Sequence, residues 1–171
     1  DNIQYRVSVY DLATITDGES SIDILGQTVN NDGVTDEYGW GGENDGPGTG
    51  GFNFGSGTGI GSISYDKNNH KLFIPDRGNH RVLIFNLDAS NNLLDKIPDN
   101  ILGQTSYYRN NSGSTATGLN QPRATAYDEV NNRLFVADHN ARILVFDVAA
   151  ITNGEAAVNV LGQNNFPTTT T

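Results

Sequence analysis

Apolar and polar positions alternate along several short stretches of this chain. In the segment 133–138, Leu134 and Val136 point to one side. Phe135 and Ala137 point to the other side. This period of two residues is typical of a β-strand that is packed on at least one face. The same pattern predicts four strands in the last part of the chain, over 123–128, 133–138, 141–147 and 157–161.

The strand pattern belongs to a longer repeat. The last copy covers 131–163 and ends in Val-Leu-Gly-Gln, and the middle copy covers 69–104 and ends in Ile-Leu-Gly-Gln. The first copy, 6–27, contains only the second half of the pattern and aligns with 142–163 without a gap. Repeats of this length are typical of stacked or radial architectures.

The connections between the strands have signals of their own. Asp and Asn residues at 65–69 and 127–132 predict hairpin turns, because their side chains bond the local backbone and tolerate left-handed geometry. The segment 147–154 begins with a possible Asp N-cap, continues with two alanines and ends in Gly, and 11–18 repeats this pattern. One or two helical turns are therefore predicted in both places.

Composition excludes several classes of function. The formal charge is −10 with ten Lys and Arg residues, whereas binding to a phosphate backbone relies on clustered cations. Nucleic acid is therefore not expected as a partner. No segment reaches the roughly 18 apolar residues that a membrane helix needs. The chain has no cysteine for a disulfide framework, and its start without Met indicates processing or a longer parent chain.

The repeat resembles the NHL-repeat family, specifically a long-repeat bacterial subgroup with Leu-Gly-Gln endings. The resemblance is carried by Leu-Phe-Ile-Pro-Asp at 72–76 with Asn-His-Arg-Val at 79–82, and by Leu-Phe-Val-Ala-Asp at 134–138 with Arg142. It implies an all-β protein of antiparallel four-stranded propeller-type blades. This chain would hold about two and a half blades, open rather than closed within one chain, since closed propellers typically have four to eight.

The resemblance also implies a division of the chain. The parts are an outer half-blade (1–27), a Gly-rich acidic insertion with the first strand of the next blade (28–64), the remainder of that second blade (65–104), a third blade (105–163) and a Thr-rich tail (164–171). Pro75 departs from the pattern, because proline cannot donate to a sheet ladder. The strand at 72–76 is therefore expected to be locally unpaired or interrupted.

Two charged pairs and three histidines are candidates for chemistry. Asp76 with Arg81, and Asp138 with Arg142, could be catalytic pairs. Because they recur at equivalent places, we predict instead that each bridges a hairpin turn to the next strand. Lyase relatives in the resembled family use channel histidines, but His70, His80 and His139 do not match such a triad and are predicted to be exposed turn residues. No catalytic residue and no organic cofactor are predicted.

The Gly-rich insertion offers a possible calcium site. Calcium binds six to eight oxygen atoms on flexible backbone, which this acidic segment could supply. The alternative is a solvated acidic loop, because the spacing is not that of an EF-hand. The candidate ligands are Asp32, Asp36, Glu37, Glu43 and Asp45.

Aromatic residues are concentrated in the same insertion and after the second Leu-Gly-Gln. Exposed rings could stack on sugars or pack on a neighbouring subunit, whereas buried rings would anchor the loop to its own blade. The aromatics concerned are Tyr38, Trp40, Phe52, Phe54, Tyr107 and Tyr108.

Glycans are possible partners. Asn110 begins the sequon Asn-Asn-Ser, and Thr168 and Thr169 in the Thr-rich tail could carry O-linked sugar.

These features favour a non-enzymatic extracellular or cell-surface structural module. It would self-associate through incomplete blade edges into a homo-oligomer or filament. The alternatives are a fragment of a closed NHL propeller that acts as a binding scaffold, and a metal-dependent propeller lyase or lactonase. The predicted interface residues are Tyr5, Val7, Val9, Trp40 and Phe166.

Overall fold

The computed structural model describes residues 6–11, 13, 15–26, 51–55 and 59–167. These residues form three antiparallel sheets, none of which is closed. Within them the only helical element is a single 3₁₀ turn, Arg77–Asn79. The prediction of an all-β, antiparallel protein is confirmed.

Within each sheet, strands that follow one another in sequence are hydrogen-bonded neighbours. The first sheet contains β1 (Val7–Val9) and β2 (Asp23–Leu25). The second sheet contains β3 (Ser64–Asp66), β4 (Lys71–Asp76), β5 (Arg81–Asn86) and β6 (Asn100–Leu102). The third sheet contains β7 (Ala124–Asp128), β8 (Arg133–Asp138), β9 (Arg142–Asp147) and β10 (Asn159–Leu161).

The two predicted hairpin turns are confirmed. Asp66 Oδ1 accepts hydrogen bonds from the backbone N–H groups of Asn68 and Asn69, at 3.1 and 3.0 Å. Asp128 Oδ1 accepts the corresponding bond from Val130 at 2.9 Å. These carboxylates satisfy donors that the tight turns would otherwise leave without a partner, so the turn sequence itself fixes the register of each hairpin.

Pro75 changes the ladder on one side only. β4 pairs with β5 along its whole length, including Pro75 opposite Val82. The ladder between β3 and β4 ends earlier, at Ser64 opposite Phe73. The predicted interruption is thus absent from the β5 side, and Pro75 lies beyond the last pair on the β3 side, where the missing N–H costs no ladder bond.

The helical turns predicted at 147–154 and 11–18 were wrong where the structure describes these segments. After β9 the chain bends without forming a helix, and Gly154 has a φ of +70°. The backbone N–H of Gly154 donates to the carbonyl of Ile101 at 3.0 Å, and Asn153 Oδ1 accepts from the N–H of Ile101 at 3.1 Å. Bonding to the second sheet replaces the local helical bonds that the alanines favour. The described residues of 11–18 contain no helix either.

Two apolar clusters hold the sheets together. One lies between the first and second sheets and includes Leu25, Phe52, Phe54, Ile74, Leu83, Phe85 and Ile101. The other lies between the second and third sheets and includes Phe73, Val82, Ile84, Leu102, Leu134, Val136, Leu144 and Phe146. The alternation along β4 and β5 therefore assigns the two faces of the second sheet to different neighbours.

Candidate interaction surface

A buried ion pair anchors the second sheet. Arg81 Nε lies 2.7 Å from Asp76 Oδ2, and both side chains are completely buried. Arg81 also donates to the carbonyls of Tyr107 and Gly51, at 2.6 and 3.2 Å. Burial raises the pKa of the Asp76 carboxyl, whereas the charge of Arg81 and the N–H of Asn53 act to lower it. The pair is inaccessible to a substrate and ties three segments together, so the predicted structural role is confirmed.

The third sheet repeats this arrangement. Arg142 Nη2 lies 3.1 Å from Asp138 Oδ2, again with both side chains buried. Arg142 donates to the carbonyls of Gly118 and Phe166, both at 2.9 Å. The Phe166 ring packs half-buried against the cluster between the second and third sheets. Phe166, predicted at an interface, therefore lies against its own chain.

The histidines lie in turns, as predicted, but only His139 is exposed. His80 is half-buried with a φ of +55°, and its Nδ1 accepts a hydrogen bond from the backbone N–H of Gln121 at 3.0 Å. His70, also half-buried, contacts Asn91 Oδ1 through Nδ1 at 2.6 Å. Among the residues that the structure describes, no group of three or more His, Asp or Glu could hold a metal ion.

Acid should weaken the junction that His80 makes between the second and third sheets. Burial lowers the pKa of His80 below its usual 6.5, although the charge of Asp76 acts in the opposite direction. The fold thus favours the neutral ring, and its contribution is complete above pH 6.5 and lost as the pH falls through the lowered pKa. We expect the urea midpoint to fall between about pH 7 and about pH 5.

The matched variant for this prediction is His80→Asn. Asparagine tolerates the left-handed backbone and keeps an acceptor oxygen, but it does not titrate. Its urea midpoint should depend less on pH than that of the wild type. Equal pH dependence in the two proteins would contradict the assignment to His80.

The Gly-rich insertion is described only at its end. The candidate calcium ligands Asp32, Asp36, Glu37, Glu43 and Asp45, together with Tyr38 and Trp40, lie outside the described residues. Phe52 and Phe54 are buried in the cluster between the first and second sheets, with ring centroids 5.3 Å apart. For these two rings the structure confirms the interpretation that they anchor the loop to its own unit.

The open edge of β1 is the feature that stands out in the described residues. In the described part of the chain β1 pairs with β2 alone, whereas the equivalent strands β5 and β9 each pair on both sides. The carbonyl of Val9 accepts from the N–H of Ile22, on the side of β2. Because successive residues of a strand direct their backbone groups to opposite sides, the N–H and carbonyl of Ser8 point away from β2. They lie where a further strand would pair.

A cavity runs along this edge. It is lined on one side by Arg6, Val7, Ser8 and Tyr10, and on the other by Phe54 and the segment 60–63 that leads into β3. A second concavity, lined by Val9, lies beside the turn after β5. Of the predicted interface residues, Val7 and Val9 are half-buried on β1, and Val7 packs against the cluster between the first and second sheets.

The remaining predicted residues are scattered. Tyr5, Trp40, Thr168 and Thr169 lie outside the described residues. Asn110 is exposed in the segment between β6 and β7. Tyr108 is exposed, whereas Tyr107 packs against the cluster between the first and second sheets, and its hydroxyl donates to the carbonyl of Pro98 at 2.9 Å. The predicted residues that the structure describes do not come together in one site.

Sequence reasoning missed the turn at Asn153 and Gly154 as a docking element. Its bonds to Ile101 join the connection between β9 and β10 to β6, an edge strand of the second sheet. The gap-free alignment of 6–27 with 142–163 contained the signal, because it places Asp17 and Gly18 at the same positions in the first copy.

In the described residues, no helix has the length and apolar character required to cross a bilayer. No family model matches the chain. No curated protein is significantly similar to it.

Proposed function

We propose that this chain is a non-enzymatic interaction module that self-associates, with its sheets as propeller-type units and the edge of β1 as a contact site. One observation carries the proposal: among the described residues, β1 has a hydrogen-bonded neighbour on one side only, whereas its equivalents β5 and β9 have neighbours on both sides. An unpaired strand edge is a site for strand addition from another chain.

The surroundings of the edge favour an extended segment as the binding partner. The cavity beside β1 brings apolar side chains, including Phe54 and Ile60, next to Ser8, whose outward backbone groups pair with no strand among the described residues. An added strand would gain main-chain hydrogen bonds and bury apolar surface at once. The net charge of −10 opposes association between copies, so added salt should strengthen it by screening this repulsion.

Ser8→Pro tests the edge directly. Proline removes the N–H that faces the open side, and it is tolerated on an edge strand when that N–H is not used in the sheet. We expect Ser8→Pro to sediment as a monomer under conditions where the wild type sediments as an oligomer. Ser8→Ala, which keeps the N–H, should assemble like the wild type.

Circular dichroism of both variants checks that the sheets remain folded. Assembly of a folded Ser8→Pro variant to the same extent as the wild type would refute a role of this edge. A wild type that stays monomeric would refute self-association altogether and favour a binding scaffold within a closed NHL-type propeller.

A further inference from the structure

Strands β9 and β10 of the third sheet carry exposed apolar residues whose equivalents in the second sheet are buried. In the second sheet Val82 and Leu102 are 0% exposed because the third sheet packs on them. The residues at the same repeat positions, Ile143 and Leu161, are 37% and 47% exposed. Leu161 lines a shallow concavity together with Phe135 and Val145, and Ile143 is the cross-strand partner of Leu161; we call these four residues the tail face.

The first sheet carries the complementary element. In the third sheet the turn at Asn153 and Gly154 docks on β6, so closely that a Cβ on Gly154 would lie 2.8 Å from Thr105 Cγ2. The equivalent turn, Asp17 and Gly18, has the same backbone character, with a φ of +77° at Gly18. A Cβ on Gly18 would meet no described atom within 4 Å. We call Asp17 and Gly18 the head turn.

We propose that the tail face and β10 of one copy bind the first sheet and head turn of a second copy, head to tail. This rests on the proposed self-association and specifies its partner surface. The proposed contact between molecules would repeat the contact that the second and third sheets make within one chain. A β-sheet of the same repeat is therefore the occupant that fits the tail face.

The hydrogen-bonding groups match at each position of the pattern. Within the chain, Gly154 N–H donates to the carbonyl of Ile101, and Asn153 Oδ1 accepts from Asn100 Nδ2 at 3.3 Å. Val160 and Asn159 occupy the positions of Ile101 and Asn100. Between copies, Gly18 would donate to the carbonyl of Val160.

Asp17 supplies the remaining contact. It would accept from the Asn159 side chain and from the N–H of Val160, as Asn153 does from Asn100 and Ile101. A carboxylate makes these two bonds charge-assisted, and such bonds are stronger than those of a neutral amide.

The two surfaces are also formed by equivalent strands. β1 and β2 correspond to β9 and β10, and the most exposed tail-face residues, Ile143 and Leu161, lie on β9 and β10. The open edge of β1 lies on the side where β8 adjoins β9 in the third sheet, so head-to-tail docking leaves that edge accessible. The contact is heterologous, because two different surfaces meet, and it yields rings where it closes and filaments where it does not.

Two single variants, each blocking one surface, test the proposal on the full chain. Leu161→Asp places a charge in the tail face, and Asp17→Lys removes the acceptor and reverses the charge of the head turn. Because we expect a stable assembly to need both this contact and the β1 edge, each variant alone should sediment as a monomer. Val130→Asp, at a residue that is 83% exposed in the turn between β7 and β8, and Glu129→Lys, with the same charge change as Asp17→Lys, should assemble like the wild type.

Mixing the two blocked variants gives the decisive result. Each keeps one intact surface, so an equimolar mixture should form a one-to-one dimer and nothing larger. A mixture that stays monomeric, or a Leu161→Asp variant that assembles like the wild type, would overturn the proposal. Ile143→Asp is a second tail-face variant for the case in which Leu161→Asp loses its β signal in circular dichroism.

The results separate this inference from the proposed edge contact. If Leu161→Asp dissociates the assembly and Ser8→Pro does not, head-to-tail docking stands and the edge proposal fails. If Ser8→Pro dissociates it and Leu161→Asp does not, the edge proposal stands and this inference fails. A monomeric wild type overturns both.

Discussion

Replacing Arg81 with leucine should lower the free energy of unfolding by roughly 3–5 kcal/mol, because the change leaves the Asp76 carboxylate buried without its counter-ion. The cost is high because both side chains are completely buried. The variant also frees the carbonyls of Gly51 and Tyr107, which Arg81 ties to the second sheet. Urea unfolding followed by circular dichroism measures the difference.

Two further variants test the roles of the shape of the Arg81 side chain and of the burial of the ion pair. Arg81→Lys keeps a positive charge but cannot reproduce the planar fork that reaches Asp76 and two carbonyls, so it should recover only part of the stability. Lys67→Leu removes an exposed partner of Glu129 at 4.0 Å and should cost about 0–1 kcal/mol. A loss for Arg81→Leu as small as that for Lys67→Leu would contradict the anchoring role of the buried pair.

Gly103→Ala should be the second most damaging substitution, at about 2–5 kcal/mol, because backbone strain and overpacking coincide there. Gly103 has a φ of +86°, in the left-handed region that residues with a Cβ avoid. An added Cβ would also lie 2.8 Å from the backbone carbonyl of His80 and 2.7 Å from Leu119 Cδ1. The Leu119 side chain can move, but the carbonyl belongs to the turn that precedes β5.

Gly18→Ala is the matched control, because it shares the positive φ but meets no described atom within 4 Å. It should show the strain alone, about 1–2 kcal/mol. Both variants are best measured in the Leu161→Asp background, so that any effect of Gly18 on assembly does not enter the unfolding midpoint. If the two variants lose the same free energy of unfolding, the close contact at Gly103 contributes nothing to the loss.

The strands could be predicted because their signal is local. The predicted strand 133–138 coincides with β8, and the strands predicted at 123–128 and 141–147 differ from β7 and β9 by one residue. Side-chain alternation and Asp-Asn turns fix these elements within a few residues of chain. The helical turns failed for the opposite reason. The backbone of Gly154 bonds to Ile101, far away in the sequence, and no local pattern contains that partner.

The candidate surface was predictable in part. The phase of the repeat indicated that the first copy lacks two strands, and β1 does pair on one side only among the described residues. The burial of Phe166 was not foreseen, because it depends on how far the guanidinium of Arg142 reaches across the fold to the Phe166 carbonyl. The recurrence of an aromatic three residues after Gln104 and Gln163 was the available signal.

Because the two apolar clusters are separate, the stability of each sheet depends on the sheets that pack against it. The second sheet is buried on both faces, whereas the first and third sheets each share only one of the two clusters. In such one-dimensional stacks, cooperativity passes from unit to unit, and the terminal units open first. Head-to-tail joining would convert two terminal sheets into internal ones at every new junction. The melting temperature would then rise with protein concentration, and a long assembly would unfold from its ends.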